Sequence, residues 1–175
     1  MTAPTWSVRR VHALDDTQID ELATVLIDCV EGGASVSFMH PLSRERALAF
    51  WRRVAQGVAA DERALIVAED ARGLCGTVQL VLDQPENQPH RAELSKMLVH
   101  RRARRRGLGA ALMRAAEAAA RDCGKTLLVL DTANDEAERL YERLGWTRVG
   151  VIPDYALLPH GGLCGTTVYY RNLAS

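Results

Sequence analysis

Apolar and polar positions divide the chain into short, alternating elements. Between residues 6 and 12, Val8 and Val11 alternate with arginines, the pattern of a half-buried edge strand. Asp15, Asp16 and Thr17 offer an N-cap for a helix running through Cys29, with Ile19, Leu22, Leu26 and Val30 on one face. Glu31-Gly32-Gly33-Ala34-Ser35 ends it. Ser43 opens a second helix whose inner stripe is Leu48, Trp51 and Val54. Residues 63–69 and 74–82 read as strands joined by the turn Asp70-Ala71-Arg72-Gly73, a hairpin. A proline-bounded loop over 85–89 precedes an apolar-rich central segment, 94–99. From Gly107 the spacing predicts a helix burying Leu108, Leu112, Ala115 and Ala119, with Arg114, Glu117 and Arg121 outside and Gly124 as its stop. Residues 126–130 form a continuous apolar run, the mark of a buried strand. A helix at Asn134 follows. Strands over 146–151 and 166–171 close the chain, separated by a Pro- and Gly-bearing loop over 153–165.

The stretch around which this order is built is Glu93-Leu-Ser-Lys-Met-Leu-Val-His-Arg-Arg-Ala-Arg-Arg-Arg-Gly-Leu-Gly109. It reads as a strand, a tight turn and a helix N-terminus, where consecutive N–H groups lack helical partners and attract phosphate. Glycine lets the backbone approach such a ligand closely. A Walker A loop is excluded because no Lys-Ser/Thr follows Gly107 or Gly109, and a dinucleotide fingerprint because Leu112 stands where its third glycine belongs.

What remains, Arg104-x-x-Gly107-x-Gly109, resembles the pyrophosphate loop of the Gcn5-related N-acetyltransferase (GNAT) superfamily. A second motif, Asn134-x-x-Ala137-x-x-Leu140-Tyr141-x-x-x-Gly145-Trp146, resembles that superfamily's Asn-x-x-Ala-x-x-Leu-Tyr-x-x-x-Gly-Phe segment, with Trp in place of Phe. On a helix, Asn134, Ala137, Tyr141 and Leu144 share one face, and Gly145 sits where a left-handed residue ends it. The resemblance implies an α/β (α+β) fold, a mixed, mostly antiparallel central sheet of about seven strands flanked by about four helices. It also implies acetyl-CoA as cosubstrate and no metal. The cofactor would lie along Met97, Leu98 and Val99, with its diphosphate on Arg104, Arg105, Arg106, Gly107, Leu108, Gly109 and Ala110. Asn134 would contact its pantetheine arm, and the Tyr141 hydroxyl would lie near its sulfur. Three further stretches resemble the tabtoxin-resistance acetyltransferases: Gly32-Gly33-Ala34-Ser35-Val36, Arg91-Ala92-Glu93 with Lys96, and Thr147-Arg148-Val149-Gly150.

Composition narrows the setting. A chain of 175 residues, 47% hydrophobic and 25% charged, fits one domain over residues 1–175. Formal net charge is zero, and no aromatic residues interleave the arginines of 101–106, which argues against nucleic acid. Cys29, Cys75, Cys123 and Cys164 form no Cys-x-x-Cys pair and read as small apolar fillers. No signal peptide or membrane span is visible, so a cytoplasmic protein with reduced thiols is expected. A homodimer is left open.

Acetyl transfer to an amine requires a held thioester, a deprotonated amine, a donor to the oxyanion and a proton for the thiolate. Deprotonating a lysine-like amine at pH 7 costs roughly 4–5 kcal/mol, an α-amine only about 1 kcal/mol. Glu93, at the start of the central strand, is the first candidate base and Asp131, at the end of the next strand, the second. The plain alternatives are a Glu93 paired to Arg91 or Lys96 and an Asp131 that caps the following helix. Tyr141 is the candidate general acid, or else a core tyrosine. By resemblance, the backbone N–H of Leu98 or Val99 meets the oxyanion. The side chains of 101–106 are expected to point mostly to solvent, the backbone of 105–110 binding phosphate. His40, His90 and His160 lie in loops without metal-ligand spacing. Residues 35–40 and 155–164 are expected to shape the acceptor pocket, with Phe38, Met39 and Tyr155 as apolar walls. No cysteine is placed near the motifs for an acyl-enzyme, so direct attack in a ternary complex is expected. The acceptor is expected to be a small primary amine of the amino-acid-like toxin or antibiotic class. The alternatives are protein N-termini and a non-catalytic acyl-CoA-binding module.

Overall fold

The structure, a computed structural model, describes residues 5–174. Its elements are β1 (Trp6–Val11), α1 (Asp16–Glu31), α2 (Arg44–Ala59), β2 (Arg63–Asp70), β3 (Gly73–Val81), β4 (Arg91–Val99), α3 (Leu108–Asp122), β5 (Leu127–Thr132), α4 (Asp135–Arg143), β6 (Thr147–Leu157) and β7 (Leu163–Asn172), with a 3-10 turn at Arg101–Ala103. The strands form one seven-stranded sheet in the order β1-β2-β3-β4-β5-β7-β6. Its pairs are antiparallel except β4 with β5. The expected mixed, mostly antiparallel sheet with four helices is the observed architecture.

Local chemistry explains where the elements begin. Asp15 caps α1 through a reciprocal capping box, its Oδ1 accepting from Gln18 N at 2.8 Å while Asp15 N donates to Gln18 Oε1 at 3.0 Å. Ser43 Oγ accepts from Arg46 N at the start of α2. Between β2 and β3 the chain turns at Gly73, whose φ is 108°. A Cβ there would stand 2.3 Å from Glu21 Oε1, the carboxylate that accepts from Leu74 N and seats the hairpin on α1.

Alternation along the strands feeds two cores. Ile66, Val78, Leu80, Leu94 and Leu128 face α3 on one side of the sheet. Leu65 and Val67 face α1 and α2 on the other, around Leu22, Leu26 and Trp51. The face opposite α3 is covered by α1 and α2 only as far as β4.

Two expectations are corrected. On α3, Met113, Ala116 and Ala120 are fully buried, Ala115 is half-buried, and Glu117, expected outside, is 9% exposed. Glu117 Oε1 accepts from Trp146 Nε1 at 3.2 Å and lies 3.7 Å from Arg171 Nε. A carboxylate with two such partners can be enclosed, so the charged position did not mark the outer face. The loop expected over 153–165 is largely strand. β6 continues to Leu157 and β7 starts at Leu163, with the register shifting between Ile152 and Ala156 and Asp154 at φ 52°. An edge strand has one unpaired side, so Pro153 is accommodated at that bulge without breaking a shared ladder.

Removing the carboxylate from the α3 core tests its role there. Glu117→Ala strands the Trp146 N–H and the Arg171 guanidinium and should lower stability by about 1–3 kcal/mol. Glu117→Gln, which keeps an acceptor for the indole, should recover part of that. Urea denaturation midpoints at constant m-value read both.

Candidate active site

β4 and β5 run parallel but pair only over Arg91–Glu93 and Leu127–Val129. Beyond them β5 follows β7 to Thr132, and β4 stays with β3 to Val99. The β3–β4 register passes from Gln79↔Ser95 to Thr77↔Leu98, so Lys96 and Met97 together stand against Val78, with Lys96 at φ 52°. The gap between the strands opens into a cleft of about 370 Å³ that Met97, Leu98 and Val99 line from the β4 side.

Which amide faces that gap follows from the ladder. His100 N donates to Cys75 O on the β3 side. Successive residues of a strand turn their amides to opposite sides, so Val99 is the one turned toward the gap. Its carbonyl there accepts from Arg104 Nε at 3.1 Å and from Cys29 Sγ at 3.6 Å.

At one end of the cleft lies the loop into α3. Arg105 (φ 61°) and Gly107 (φ 76°) are both left-handed, and Gly107 occupies the N-cap. The first helical bond there is Ala111 N to Gly107 O. Among the described residues, the main-chain N–H groups from Arg105 to Ala110 have no acceptor. This is a curved row of donors at the positive end of a helix, suited to a diphosphate. Gly109 also lets α4 come close: a Cβ there would meet Leu140 Cδ2 at 3.1 Å and Met97 Cε at 3.6 Å.

The arginine side chains are mostly exposed, as expected, but three of them are also tethered. Asp28, on the buried face of α1, accepts from Arg101 N at 2.9 Å and from Arg101 Nε. Arg102 pairs with Asp70 and donates to Leu74 O. Its hydrogen bond holds the Asp70 carboxyl below the usual carboxylate range. Arg101, Arg102 and Arg104 therefore fasten the loop, while Arg105 and Arg106 make no side-chain hydrogen bond or ion pair among the described residues. Arg105 lines the cleft, whereas the Arg106 side chain faces a separate hollow with Asp70 and Arg102. Asp28 was not anticipated, although an acid on the stripe of Leu22, Leu26 and Cys29 implies a buried partner.

The far wall comes from β5 and α4. Asn134 lines the cleft and caps α4, its Oδ1 accepting from Glu136 N at 2.8 Å and Ala137 N at 3.1 Å. Its Nδ2 donates to nothing among the described residues. Tyr141 is 4% exposed, with its ring 6.1 Å from Trp146 and 5.9 Å from Tyr169. Its hydroxyl has no partner among the described residues. Burial pushes its pKa well above that of an ordinary phenol, and Asp131 and Tyr169 push the same way. The neighbouring Tyr169 hydroxyl donates to Glu142 at 2.9 Å and to Glu138 at 3.3 Å.

The two candidate bases lie elsewhere. Ala92, Leu94, Leu128 and Leu130 face α3, so Glu93 and Asp131 share the opposite face of the sheet. Neither lines the cleft. Glu93 is exposed and accepts from Arg91 Nη1 at 3.0 Å. Asp131 does not cap α4; it accepts from Thr166 Oγ1 at 2.7 Å.

Other expected residues fall as follows. Phe38 packs edge-on against Phe50 at 5.3 Å, while Met39 and Tyr155 are exposed. The cleft wall from this region is Gly33, Ala34, Ser35 and Val36. His40 and His160 stack at 4.5 Å, and no group of metal-ligating residues occurs among the described residues. All four cysteines are free. Contrary to expectation Cys29 does reach the cleft wall, but burial pushes its thiol up, away from the nucleophilic thiolate.

Among solved structures, this fold is similar to a putative acetyltransferase of Salmonella typhimurium determined with its cofactor acetyl-CoA. That match has 20% identity and a TM-score of 0.79, covering 98% of this chain and 95% of that one. It is similar also to a ribosomal-protein-alanine N-acetyltransferase from Brucella melitensis, at 18% identity and a TM-score of 0.81 over 95% and 99% of the two chains. A phosphinothricin acetyltransferase from Sinorhizobium meliloti in complex with acetyl-CoA matches at 20% identity and 0.76, over 96% and 88%. The family model described as Acetyltransferase (GNAT) family matches residues 26–146, from the end of α1 through the donor row and α4 to Trp146. The chain belongs to the GNAT family of acetyltransferases.

Proposed function

We propose that the protein transfers an acetyl group from acetyl-CoA to the primary amine of a small molecule, the amine attacking the thioester directly in a ternary complex. One observation carries this reading. The cleft is lined both by the main-chain donors of Arg105 to Ala110 and by Tyr141, and among the described residues neither these donors nor the Tyr141 hydroxyl has a partner. The first suits the diphosphate, the second the sulfur.

In the reaction the amine lone pair forms a bond to the carbonyl carbon, the C–S bond breaks, and its electron pair leaves on sulfur. The Val99 N–H, turned into the gap, is the donor assigned to the carbonyl oxygen as it gains charge. Tyr141 is kept protonated by its burial. A thiol titrates near pH 8.5, so full proton transfer from this phenol is uphill, and its role is to donate a hydrogen bond to the departing thiolate. The amine proton passes through water to a carboxylate. Asp131 is preferred to Glu93, because Glu93 is engaged with Arg91 while Asp131 electrostatically influences both Tyr141 and Lys96.

A protein N-terminus is the second reading, favoured by the similarity to the Brucella enzyme. Against it, the turn after β6 bridges to the loop after α1. His40 N donates to Pro159 O at 2.9 Å, and His160 Nε2 lies 3.0 Å from Glu31 O. A bridge there narrows the acceptor side and suits a small molecule. A cytoplasmic location belongs to the same reading.

Calorimetry with CoA and acetyl-CoA should give saturable binding, and a panel of small amines should release free thiol. A folded protein showing neither would end this reading. Tyr141→Phe should lower kcat by roughly 100-fold while leaving CoA affinity near its original value; an unchanged kcat would remove the hydroxyl from the mechanism. Exposed Val149, Val151, Ile152 and Leu157 on the edge strand β6 support a homodimer, which light scattering on the purified protein should register as twice the chain mass.

A further inference from the structure

The β4 bulge directs Lys96 away from the cofactor cleft, toward α2. Its Nζ donates to Ser37 Oγ at 3.1 Å and lies 6.0 Å from the centre of the Phe50 ring. On the same side of the sheet, Arg63 rests its stem on Gly57 of α2 and donates to Gln79 Oε1 at 2.7 Å. Both cations are half-buried, and among the described residues no carboxylate pairs with either. This sets them apart from Arg91, Arg101 and Arg102, each of which has its acid. The charged groups acting on Lys96 are Asp131, which favours its ammonium, and Arg63, which opposes it; burial opposes it most. Gln79 Nε2, beside Arg63, is buried without an acceptor. A half-buried cation without a counter-ion is costly, and a bound anion would relieve it.

Asp131 and Glu93 share the face on which the α2 layer ends; Glu93 is taken up by Arg91, which leaves Asp131 as the acid that acts on Lys96. Ser37 follows Val36, which lines the cofactor cleft, and Lys96 precedes Met97, which does the same. This cationic surface therefore adjoins the cofactor cleft.

We propose that Lys96, with Arg63 behind it, anchors a carboxylate of the acceptor, so that the substrate class is a zwitterionic amino acid or close analogue whose amine points toward Asp131. The proposal rests on the acetyltransferase reading for its direction but not for the anion site itself. Its rival is a neutral Lys96 acting as the general base.

Two measurements decide it. The first compares acetylation of L-amino acids with that of their decarboxylated amines. The wild type should favour the carboxylate-bearing member of a pair. Lys96→Met should lose that preference by roughly 10- to 100-fold, mainly through KM, while Lys96→Arg, which keeps the charge but cannot serve as a base, should retain most of it. A preference that survives Lys96→Met overturns the proposal. So does a Lys96→Arg enzyme as inactive as Lys96→Met towards both members of each pair. The second measurement needs no turnover. Lys96 and Lys125 are the only lysines in the chain. Lys125 Nζ is held by the carbonyls of Leu82 and Pro89 and serves as an internal reference. With CoA present, the same amino acids should slow acetic anhydride labelling of Lys96 relative to Lys125, read by mass spectrometry, and the decarboxylated amines should not. Protection without any turnover would sink the acetyltransferase reading yet keep the anion site; absence of protection by every carboxylate tried removes the site.

Discussion

The constraint on which the molecule depends is the short partnership of β4 and β5. Two parallel strands that pair only over their first residues must diverge, and both point their C-terminal ends into the divergence. α3 follows β4 and α4 follows β5 after short connections. Both helices therefore begin at the rim of the same gap, with their positive dipole ends beside it and, for α3, its unpaired N–H groups. One topological event thus produces the cleft, the Arg105–Ala110 donor row, the Asn134 cap and the exposed Val99 amide. A β4–β5 ladder continued to Val99 would satisfy those strand amides internally and close the space between Met97 and Asn134.

Charge is arranged around this gap in two layers. The arginines nearest the anion-binding turn are mostly committed to Asp28, Asp70 and the Val99 carbonyl, so they stiffen the turn that presents the main-chain donors. One helix-terminal charge interaction is worth roughly 0.3–2 kcal/mol. A diphosphate must therefore meet several donors at once, and a rigid loop keeps them aligned without a further ordering cost on binding. At the opposite end Lys96 and Arg63 have no carboxylate partner among the described residues, and the acid that acts on Lys96 is Asp131. Such a surface can distinguish the two ends of a dipolar molecule.

The sequence made most of this framework legible because the chemistry restricts residue types. Gly107 had to be glycine to hold φ 76° at a helix N-cap, and the helical spacing from Asn134 to Tyr141 put both on one wall. Apolar patterning located the strands, but not the stretches of β6 and β7 that flank the turn after Leu157. What could not be read was what depends on neighbours distant in sequence. Nothing in Ser95-Lys96-Met97 announces a bulge, since register is fixed by the partner strand. Glu117 looked solvent-facing until Trp146 and Arg171 came to it. Asp28 drew no reading from the sequence because its partner, Arg101, lies far along the chain. Asp131 read as a possible cap for α4; in the fold Asn134 takes that role while Asp131 turns to Thr166.

Several polar groups without a protein partner lie together, and most of them are open to solvent in the empty cleft. Here the donor row of the α3 turn, the Asn134 Nδ2 and the Tyr141 hydroxyl border one cleft, and Lys96 stands just beyond it. Their common location gives them a common explanation: each is a group whose partner arrives with the ligand. Binding that satisfies these groups adds to the stability of the folded state, because the unfolded chain cannot assemble donors drawn from β4, α3, α4 and the loop after α1.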